Sequence, residues 1–280
     1  MGTGTPIQTP DRAGPGVLIR RGDVALQFDA GRNTVARLST LDQDLTKLTA
    51  LFVTHHHSDH LVGVPDLVTT RWLNDIKRQV HSPLPVYAPA GEAVRILEHM
   101  LDVWVDEMTM RRDHTGRPNL AEVDVRPFTA NKTRSVEVAR FGDMAVSVIA
   151  VNHEPVVPAV AYRINSPDGS VVITGDTSVC GQIEMISTDV DVLITEVIRA
   201  DGLSGLVTDP DRLLDYHSEC SEIGAMAQRA RVKQVILTHL VPPPRTANEK
   251  AAFASDVRSG GYGGPLIVAD DLSTVEVPPR

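Results

Sequence analysis

Six consecutive residues, 55–60, carry a dense set of side chains that can bind metal, His-His-His-Ser-Asp-His. The apolar and partly β-branched run before them, at 51–54, is typical of a buried strand. A helix is predicted to begin shortly after them, within 61–68. A strand that leads into a loop rich in ligands and then into a helix is an arrangement that builds a binding site.

Four of these six side chains can bind metal in pairs. His55 and His57, two residues apart, can coordinate one ion, while Asp59 and His60 can coordinate a position beside it. His56 lies between two of these ligands and is predicted to point away from them. Mixed imidazole and carboxylate ligands suit zinc, manganese or iron better than calcium or magnesium.

Three further residues that can bind metal each follow a predicted strand. They are His153 after a strand at 145–151, Asp176 after one at 170–174, and His239 after one at 234–238. In α/β sheets the chemistry is placed at the carboxyl ends of strands. A single such histidine would be interpreted as a structural residue, but four strand ends together predict one functional site.

The pattern of apolar residues predicts strands that alternate with helices, which favours an α/β fold with sheets covered by helices. The predicted strands lie at 16–20, 24–29, 50–54, 84–87, 145–151, 159–164, 170–174, 191–195, 234–238 and 265–269. The predicted helices lie at 65–79, 91–110, 218–231 and around 246–256. The apolar residues of 91–110 form one stripe, which favours packing on the core, although Trp104 and the methionines also fit a lid over a substrate.

The composition is that of an ordinary globular protein with an acidic balance. Of the 280 residues, 42% are hydrophobic and 22% are charged, and the formal net charge is −9. This charge and the lack of a long basic cluster disfavour a large nucleic-acid partner. No run approaches about 18 apolar residues, so no membrane span is predicted. The N-terminus lacks a signal-peptide pattern and the two cysteines, Cys180 and Cys220, form no pairing motif, so a cytoplasmic location is expected.

The order of these residues resembles the metallo-β-lactamase-fold hydrolases over essentially the whole chain. The matching features are the HxHxDH pattern, a later histidine, an aspartate in Gly-Asp-Thr and a histidine after a strand. The resemblance implies a single α/β domain over 1–280, a four-layer αβ/βα sandwich with two divalent metal ions at the edge of its sheets. Zinc is the expected metal, with manganese or iron as alternatives. The implied ligands form two sets that share one bridging carboxylate: His55, His57 and His153; Asp59, His60 and His239; and Asp176 as the bridge.

Within that superfamily the chain most resembles ribonuclease Z and its arylsulfatase-like and phosphodiesterase-like relatives. The glycine-rich opening at 2–6 and the motif at 28–31 match this group, and so do two later segments that contain Glu196 and His217. The resemblance implies that Glu196 orients His217, which supports the transition state or protonates the leaving group. It also implies that Asp29 supports the metal ligands from behind. Members often pair as homodimers, which we expect here.

One interval departs from the ribonuclease Z pattern. Members that process tRNA carry a long arm between the third-motif histidine and Gly-Asp-Thr, whereas His153 and Asp176 are 23 positions apart here. That interval has room for two strands and a turn. The longer interval, from His60 to His153, holds a helical insert around 91–120 instead. A small anionic ester is therefore predicted as the substrate in preference to tRNA.

We expect a two-metal hydrolase in which a metal-bound hydroxide attacks a phosphodiester or a similar anionic ester. Asp59, Glu196 and His217 are the residues predicted to act in catalysis. Arg199 could equally contact an anionic substrate or be a solvated loop cation. Three alternatives stay open: a lactonase, β-lactamase or carboxylic or sulfate ester hydrolase on the same fold; a tRNA 3′-end endonuclease; and a metal-binding structural relative without activity.

Overall fold

The computed structural model describes residues 1–75, 82–203 and 209–277. The chain forms two compact units. The N-terminal unit comprises Met1–Gly2 and Ala13–Thr129, and the C-terminal unit comprises Thr3–Arg12 and Ala130–Arg280. Each unit has its own β-sheet and its own cluster of buried apolar side chains.

The N-terminal unit is built on a five-stranded sheet in which sequential strands are neighbours. Its strands are β1 (Val17–Arg21), β2 (Val24–Phe28), β3 (Ala50–Phe52), β4 (Leu84–Pro89) and β5 (Val123–Phe128). β1 and β2 form an antiparallel hairpin with Gly22 at φ 55° in its turn, a conformation that glycine adopts without strain. The remaining pairs are parallel, so β2, β3 and β4 have their carboxyl ends at one edge of the sheet.

The helices of this unit cover its sheet with apolar side chains. They are α1 (Thr34–Thr40), α2 (Ser58–Leu61), α3 (Val64–Asn74), α4 (Glu92–His99) and α5 (Val105–Thr115). Leu51 of β3 and Leu67 and Trp72 of α3 belong to one buried cluster. The elements on both sides of residues 55–60 are thus anchored in the core of this unit.

The C-terminal unit is built on a seven-stranded mixed sheet in the order β12-β11-β10-β9-β8-β7-β6. Its strands are β6 (Val136–Phe141), β7 (Met144–Ala150), β8 (Val160–Ser166), β9 (Gly169–Ile173), β10 (Val192–Ile198), β11 (Gln234–Val241) and β12 (Leu266–Val268). β6 to β9 are antiparallel to their neighbours, and β9 to β12 are parallel. β7, β9, β10 and β11 therefore run in the same direction and end at the same edge of the sheet.

Within its described residues this unit has the α-helices α6 (Gly181–Ser187), α7 (Pro210–Leu214), α8 (Cys220–Arg229) and α9 (Ala247–Ser259). Ile183, Ile223 and Phe253 pack in one cluster with the buried side chains of the sheet. α9 begins with a capping box, because Thr246 accepts a hydrogen bond from the Glu249 amide and the Glu249 carboxylate accepts one from the Thr246 amide. None of the helices in the described part of the chain is long and apolar enough to span a bilayer.

The α/β class is confirmed, and each predicted strand has a counterpart in the two sheets. β5 and β6 were not predicted, because most of their residues are half-buried or exposed and they form no apolar run. The single helix at 91–110 is wrong: the chain breaks between α4 and α5 with a short 3-10 turn at Asp102–Trp104. Leu97 and Met108 are buried, but the break turns Trp104 outward, where it is 51% exposed. The part of the predicted helix at 76–79 lies outside the described residues.

Candidate functional site

Residues 55–60 lie in the N-terminal unit, shortly after the end of β3 at Phe52, and Asp59 and His60 belong to α2. The ring centroid of His55 is 4.7 Å from that of His57 and 4.2 Å from that of His60. The Nε2 atom of His60 is 3.7 Å from Oδ2 of Asp59. His55, Asp59 and His60 are buried, and His57 is half-buried. The local backbone thus brings together the four ligands predicted in this segment.

Asp29, which follows β2, holds this loop from beneath. Its Oδ1 accepts a hydrogen bond from the Thr54 amide and its Oδ2 accepts one from the Thr54 hydroxyl, both at 2.8 Å. Oδ2 also lies 2.8 Å from Nδ1 of His60, and Thr54 Oγ1 lies 2.9 Å from Nδ1 of His55. Because Nδ1 of both histidines faces a protein partner, Nε2 is the nitrogen that each can offer to a metal.

Close backbone packing seats the same loop. The Ala30 amide donates to the His60 carbonyl at 2.8 Å, and the Gly63 amide donates to the Ala30 carbonyl at 2.9 Å. A Cβ atom on Gly31 would lie 2.3 Å from the Asp59 carbonyl oxygen, and one on Gly63 would lie 2.1 Å from the Gly31 carbonyl oxygen. Only glycine permits such approaches. The motif at 28–31 therefore fits against the loop through both its carboxylate and its glycine.

His153, Asp176 and His239 lie at one edge of the sheet of the C-terminal unit, at or just beyond the ends of β7, β9 and β11. Oδ2 of Asp176 is 4.0 Å from Nε2 of His153 and 3.4 Å from Nε2 of His239. All three residues are buried. Nδ1 of His153 faces the carbonyl oxygen of Tyr216 at 2.9 Å, which again leaves Nε2 for a metal. Gly175, at φ 60°, provides the turn that brings Asp176 to this edge.

His239 occupies a β-bulge. In the parallel pair of β10 and β11, Glu196 is in register with Thr238 and Val197 with Leu240, so His239 is an extra residue. It adopts φ 44°, a left-handed conformation that costs a non-glycine residue on the order of 1–3 kcal/mol. A bulge changes the direction of a side chain within a strand. Here it directs the imidazole of His239 toward Asp176.

Glu196 and His217 form a buried, hydrogen-bonded pair in the same unit. Nδ1 of His217 lies 2.9 Å from Oε1 of Glu196. The same oxygen accepts hydrogen bonds from the amides of Thr177 at 3.0 Å and Ser218 at 3.3 Å. Main-chain donors on both sides therefore fix the carboxylate, and the carboxylate fixes the imidazole.

The ring of His217 lies beside the predicted metal ligands of its unit. Its centroid is 5.3 Å from that of His153 and 5.9 Å from that of His239. The Ser218 hydroxyl donates to the Thr177 carbonyl at 2.5 Å, which ties the two segments that support Glu196. The pair predicted from the sequence is thus positioned next to the predicted ligands.

The donor set in each unit fits the divalent ions that the fold implies. Both sets consist of imidazoles and carboxylates, the ligands preferred by zinc, and all of them are buried except the half-buried His57. In His55, His60 and His153 the ring nitrogen that faces away from the ligand position contacts a hydroxyl, a carboxylate and a main-chain carbonyl, respectively. Such partners are usual for histidines that bind a metal, because they fix the tautomer and the orientation of the ring.

Several residues that support the site were not predicted from the sequence. Thr54 could have been found, since it is a polar residue at the end of an otherwise apolar strand and is fully buried. Thr177, Ser218 and Tyr216 support the site through main-chain atoms, for which the side-chain type carries no signal. Arg199 donates from Nε to Asp256 at 2.6 Å, so it is more than a solvated loop cation.

Sequence and structure comparisons agree with this arrangement. The family model described as the Beta-lactamase superfamily domain matches residues 24–240. Ribonuclease Z of Mycobacterium bovis (strain BCG / Pasteur 1173P2) is 32% identical over 285 residues, which cover 100% of this chain and 98% of the relative. The metallo-beta-lactamase fold protein YhfI from Bacillus subtilis superimposes with a TM-score of 0.72 at 20% identity, over 96% of this chain and 94% of that one. Human tRNase Z, short form, gives a TM-score of 0.70 at 21% identity, over 99% and 97%.

These similarities define a metallo-β-lactamase fold, as the resemblance of the sequence predicted. The chain belongs to the β-lactamase superfamily and, within it, to the hydrolases of the ribonuclease Z type. The fold of this family implies divalent metal ions, which the two donor sets are suited to bind. The predicted enzyme class, a metal-dependent hydrolase, is confirmed at this level.

Proposed function

We propose that this hydrolase cleaves phosphodiesters or closely similar anionic esters with two divalent metal ions. The observation that carries the proposal is the buried pair of Glu196 and His217 beside His153, Asp176 and His239. The resemblance to ribonuclease Z and phosphodiesterase-like enzymes implies such a pair, whereas lactonases and β-lactamases usually lack it.

The ligands that we propose for the metals are those that the resemblance of the sequence implies. They are His55, His57 and His153 for one ion, Asp59, His60 and His239 for the other, and Asp176 as the bridge. When bound, two such ions supply the charge that polarises the ester and lowers the pKa of a coordinated water. We propose zinc, because buried imidazole and carboxylate ligands suit it best.

The chain itself is proposed to handle the proton of the leaving group. Nδ1 of His217 is occupied by Glu196, so Nε2 is the atom that can donate a proton to the departing oxygen. Glu196 keeps the ring in one orientation and stabilises its protonated form. Asp59, at the first turn of α2, is proposed to orient the attacking group as well as to bind metal.

A small substrate is favoured by the segment between His153 and Asp176. This segment forms the antiparallel strands β8 and β9 and contains no arm. In members that process tRNA, such an arm holds the body of the tRNA away from the active site. This chain has no arm in this interval to make that contact with a polynucleotide. We therefore propose a small phosphodiester, or the end of a nucleotide chain, as the substrate.

Endonuclease cleavage of tRNA 3′ ends is the second candidate, and the name of the Mycobacterium bovis relative favours it. The alignment of 285 positions uses all 280 residues of this chain, so 285 − 280 = 5 positions remain for residues that only the relative has. The relative therefore has no arm in this interval either. This similarity keeps tRNA as a substrate that must be assayed directly.

The test is turnover of bis(p-nitrophenyl) phosphate by the metal-replete protein. Asp176→Ala removes the proposed bridging carboxylate, and we expect it to lower turnover by on the order of 1000-fold, because the bound ions that this carboxylate would hold supply several kcal/mol of transition-state stabilisation. Asp189→Ala is the matched control, because this carboxylate is exposed and pairs with Arg231.

Each outcome of this assay decides between named functions. Turnover that Asp176→Ala abolishes and Asp189→Ala preserves would support the phosphodiesterase. Cleavage of a tRNA precursor faster than of small diesters, with a steep salt dependence, would support the endonuclease instead. Absence of phosphodiester turnover with two metals bound would replace both by a lactonase or another ester hydrolase, and inertness to every ester class would indicate a structural relative. The cytoplasmic location and the homodimer stay part of the proposal.

A further inference from the structure

The C-terminal unit contains a pocket of about 400 Å³ that is separate from the proposed metal ligands. Ligand sites in proteins have volumes of this order. Its walls come from the segment 3–12, the turn after β10, the prolines after β11 and the helix α9. The lining residues that matter here are Ile7, Arg199, Asp201, Pro243, Arg245 and Phe253.

The pocket lies at the sheet edge that carries the Glu196–His217 pair. Arg199 is three residues beyond Glu196 along β10, and Pro242 is three residues beyond His239 at the end of β11. At about 3.3 Å per residue in a strand, each separation is about 10 Å. An extended dinucleotide is longer than this separation, so its length would allow one substrate to reach from the pair to the pocket.

Arg199 lines this pocket with a guanidinium group that is held in place through Nε, while its Nη atoms are left without a hydrogen-bond partner in the described part of the chain. Its Nε donates to Asp256 at 2.6 Å, and its Cζ lies 5.5 Å from the ring centroid of Phe253. The side chain is 15% exposed. Its two Nη atoms have no hydrogen-bond partner within the described ranges.

Two other arginines that lie over aromatic rings show what a purely structural pair looks like. Arg117 lies 4.6 Å from the Trp72 ring centroid, and both of its Nη atoms donate to main-chain carbonyls. Arg258 lies over Tyr262 and donates from Nη1 to the carbonyl of that residue. Arg199 differs from both, because its terminal nitrogens are directed to no carbonyl. The pocket is thus supplied with two adjacent donors in one plane.

The charges around the pocket disfavour a free phosphate ion as its ligand. Arg199 is neutralised by Asp256, and Arg245 is accompanied by Asp201 and by Glu249, both of which also line the pocket. The proline rings, Ile7 and Phe253 make the remaining walls apolar. A flat group with two neighbouring acceptors matches apolar walls and a guanidinium edge better than an anion does.

We infer that this pocket binds a guanine base of the substrate, with O6 and N7 accepting hydrogen bonds from the two Nη atoms of Arg199. An arginine edge is the usual protein partner of these two acceptors. The apolar walls contact the faces of the base. The inference rests on the proposed phosphodiesterase function and adds that the substrate carries a purine nucleotide.

The experiment is titration of the metal-replete protein with guanosine 5′-monophosphate and uridine 5′-monophosphate, in excess inorganic phosphate that occupies the metal site. We expect the guanine nucleotide to bind more tightly. Arg199→Lys keeps the charge beside Asp256 but removes the bidentate edge, so it should weaken binding of the guanine nucleotide by about tenfold and leave the uracil nucleotide unaffected. Arg140→Lys is the control, because Arg140 is exposed on β6 and pairs with Glu137.

Equal affinity for the two nucleotides, or equal affinity of Arg199→Lys and the unaltered chain for the guanine nucleotide, would overturn the inference. Thermal melting of Arg199→Lys shows whether it is folded, and the comparison of the two nucleotides on the unaltered chain tests the inference without any variant. Turnover of bis(p-nitrophenyl) phosphate without guanine selectivity would reject the pocket and keep the proposed function. Guanine selectivity without phosphodiester turnover would keep the guanine pocket and reject the proposed phosphodiesterase function.

Discussion

The two units present the side chains that we propose as metal ligands in different ways. The N-terminal unit carries four of them within residues 55–60, on a loop and the short helix α2. The C-terminal unit spreads three over residues 153–239, at the ends of three strands. Local backbone conformation decides the first arrangement, and the direction and register of strands decide the second.

The supports of the two donor sets differ as well. In the N-terminal unit one side chain, Asp29, contacts both Thr54 and His60. In the C-terminal unit the supports are main-chain groups, such as the Tyr216 carbonyl, and the bulge at His239. The first set should therefore be sensitive to a single substitution, whereas the second should tolerate substitutions of its supporting residues.

The largest effect is expected from removal of a functional side chain of the C-terminal unit that binds no metal. His217→Ala should lower kcat for a phosphodiester by about 10²–10⁴-fold, the usual contribution of a general acid. Metal content, measured by elemental analysis, should stay unchanged. His114→Ala, at an exposed position of α5, is the control. Unchanged turnover of His217→Ala would remove the proposed role of the Glu196–His217 pair.

The next effect tests the side-chain support of the N-terminal unit. Asp29→Asn keeps the shape but loses the charge that faces Thr54 and His60, so metal affinity should fall by about 10–100-fold. The measurement is competition with a chromophoric chelator. Asp42→Asn is a close control, because Asp42 also has a positive φ, 52°, but is exposed. If both variants retained the metal equally well, the loop would not depend on Asp29.

The same contrast explains what could be predicted from the sequence. The donors of 55–60 are contiguous, so their grouping follows from the sequence alone. The grouping of His153, Asp176 and His239 follows from the rule that parallel strands end at one edge, which β7, β9 and β11 obey. Long-range support was predicted only where a motif of the family marked it, as for Asp29.

Other features could not be predicted, because they depend on tertiary packing. The bulge at His239 is a matter of register between β10 and β11, and nothing in the apolar pattern of 234–238 marks it. The break between α4 and α5 is invisible in a continuous apolar stripe. The free edge of Arg199 depends on which of its nitrogens Asp256 and Phe253 engage.

A smaller effect is expected where a side chain reinforces a main-chain support. Ser218→Ala removes the hydrogen bond from the Ser218 hydroxyl to the Thr177 carbonyl but keeps the Ser218 amide that donates to Glu196. We expect a loss of about 1–3 kcal/mol in the free energy of unfolding, the cost of an unsatisfied buried group, with kcat within a few-fold. Denaturant unfolding measures the first quantity. Ser259→Ala, exposed on α9, is the control, and a hundredfold fall in kcat would show that the hydroxyl does more than hold the backbone.

The smallest effect is expected at Tyr216, and it separates main-chain from side-chain support most directly. Nδ1 of His153 contacts the carbonyl oxygen of Tyr216. The phenol of Tyr216 makes no hydrogen bond to any residue that the structure describes. Burial raises the pKa of this phenol, so it stays protonated and neutral through the range in which the enzyme is assayed. Tyr216→Phe should therefore leave metal affinity within about twofold, far from the 10–100-fold loss typical when a side chain that supports a ligand is removed. Tyr216→Phe keeps the aromatic ring, whose centroid lies 5.3 Å from that of His153. A loss as large as that expected for Asp29→Asn would therefore mean that the phenol hydroxyl supports this ligand, and it would contradict the contrast between main-chain and side-chain support.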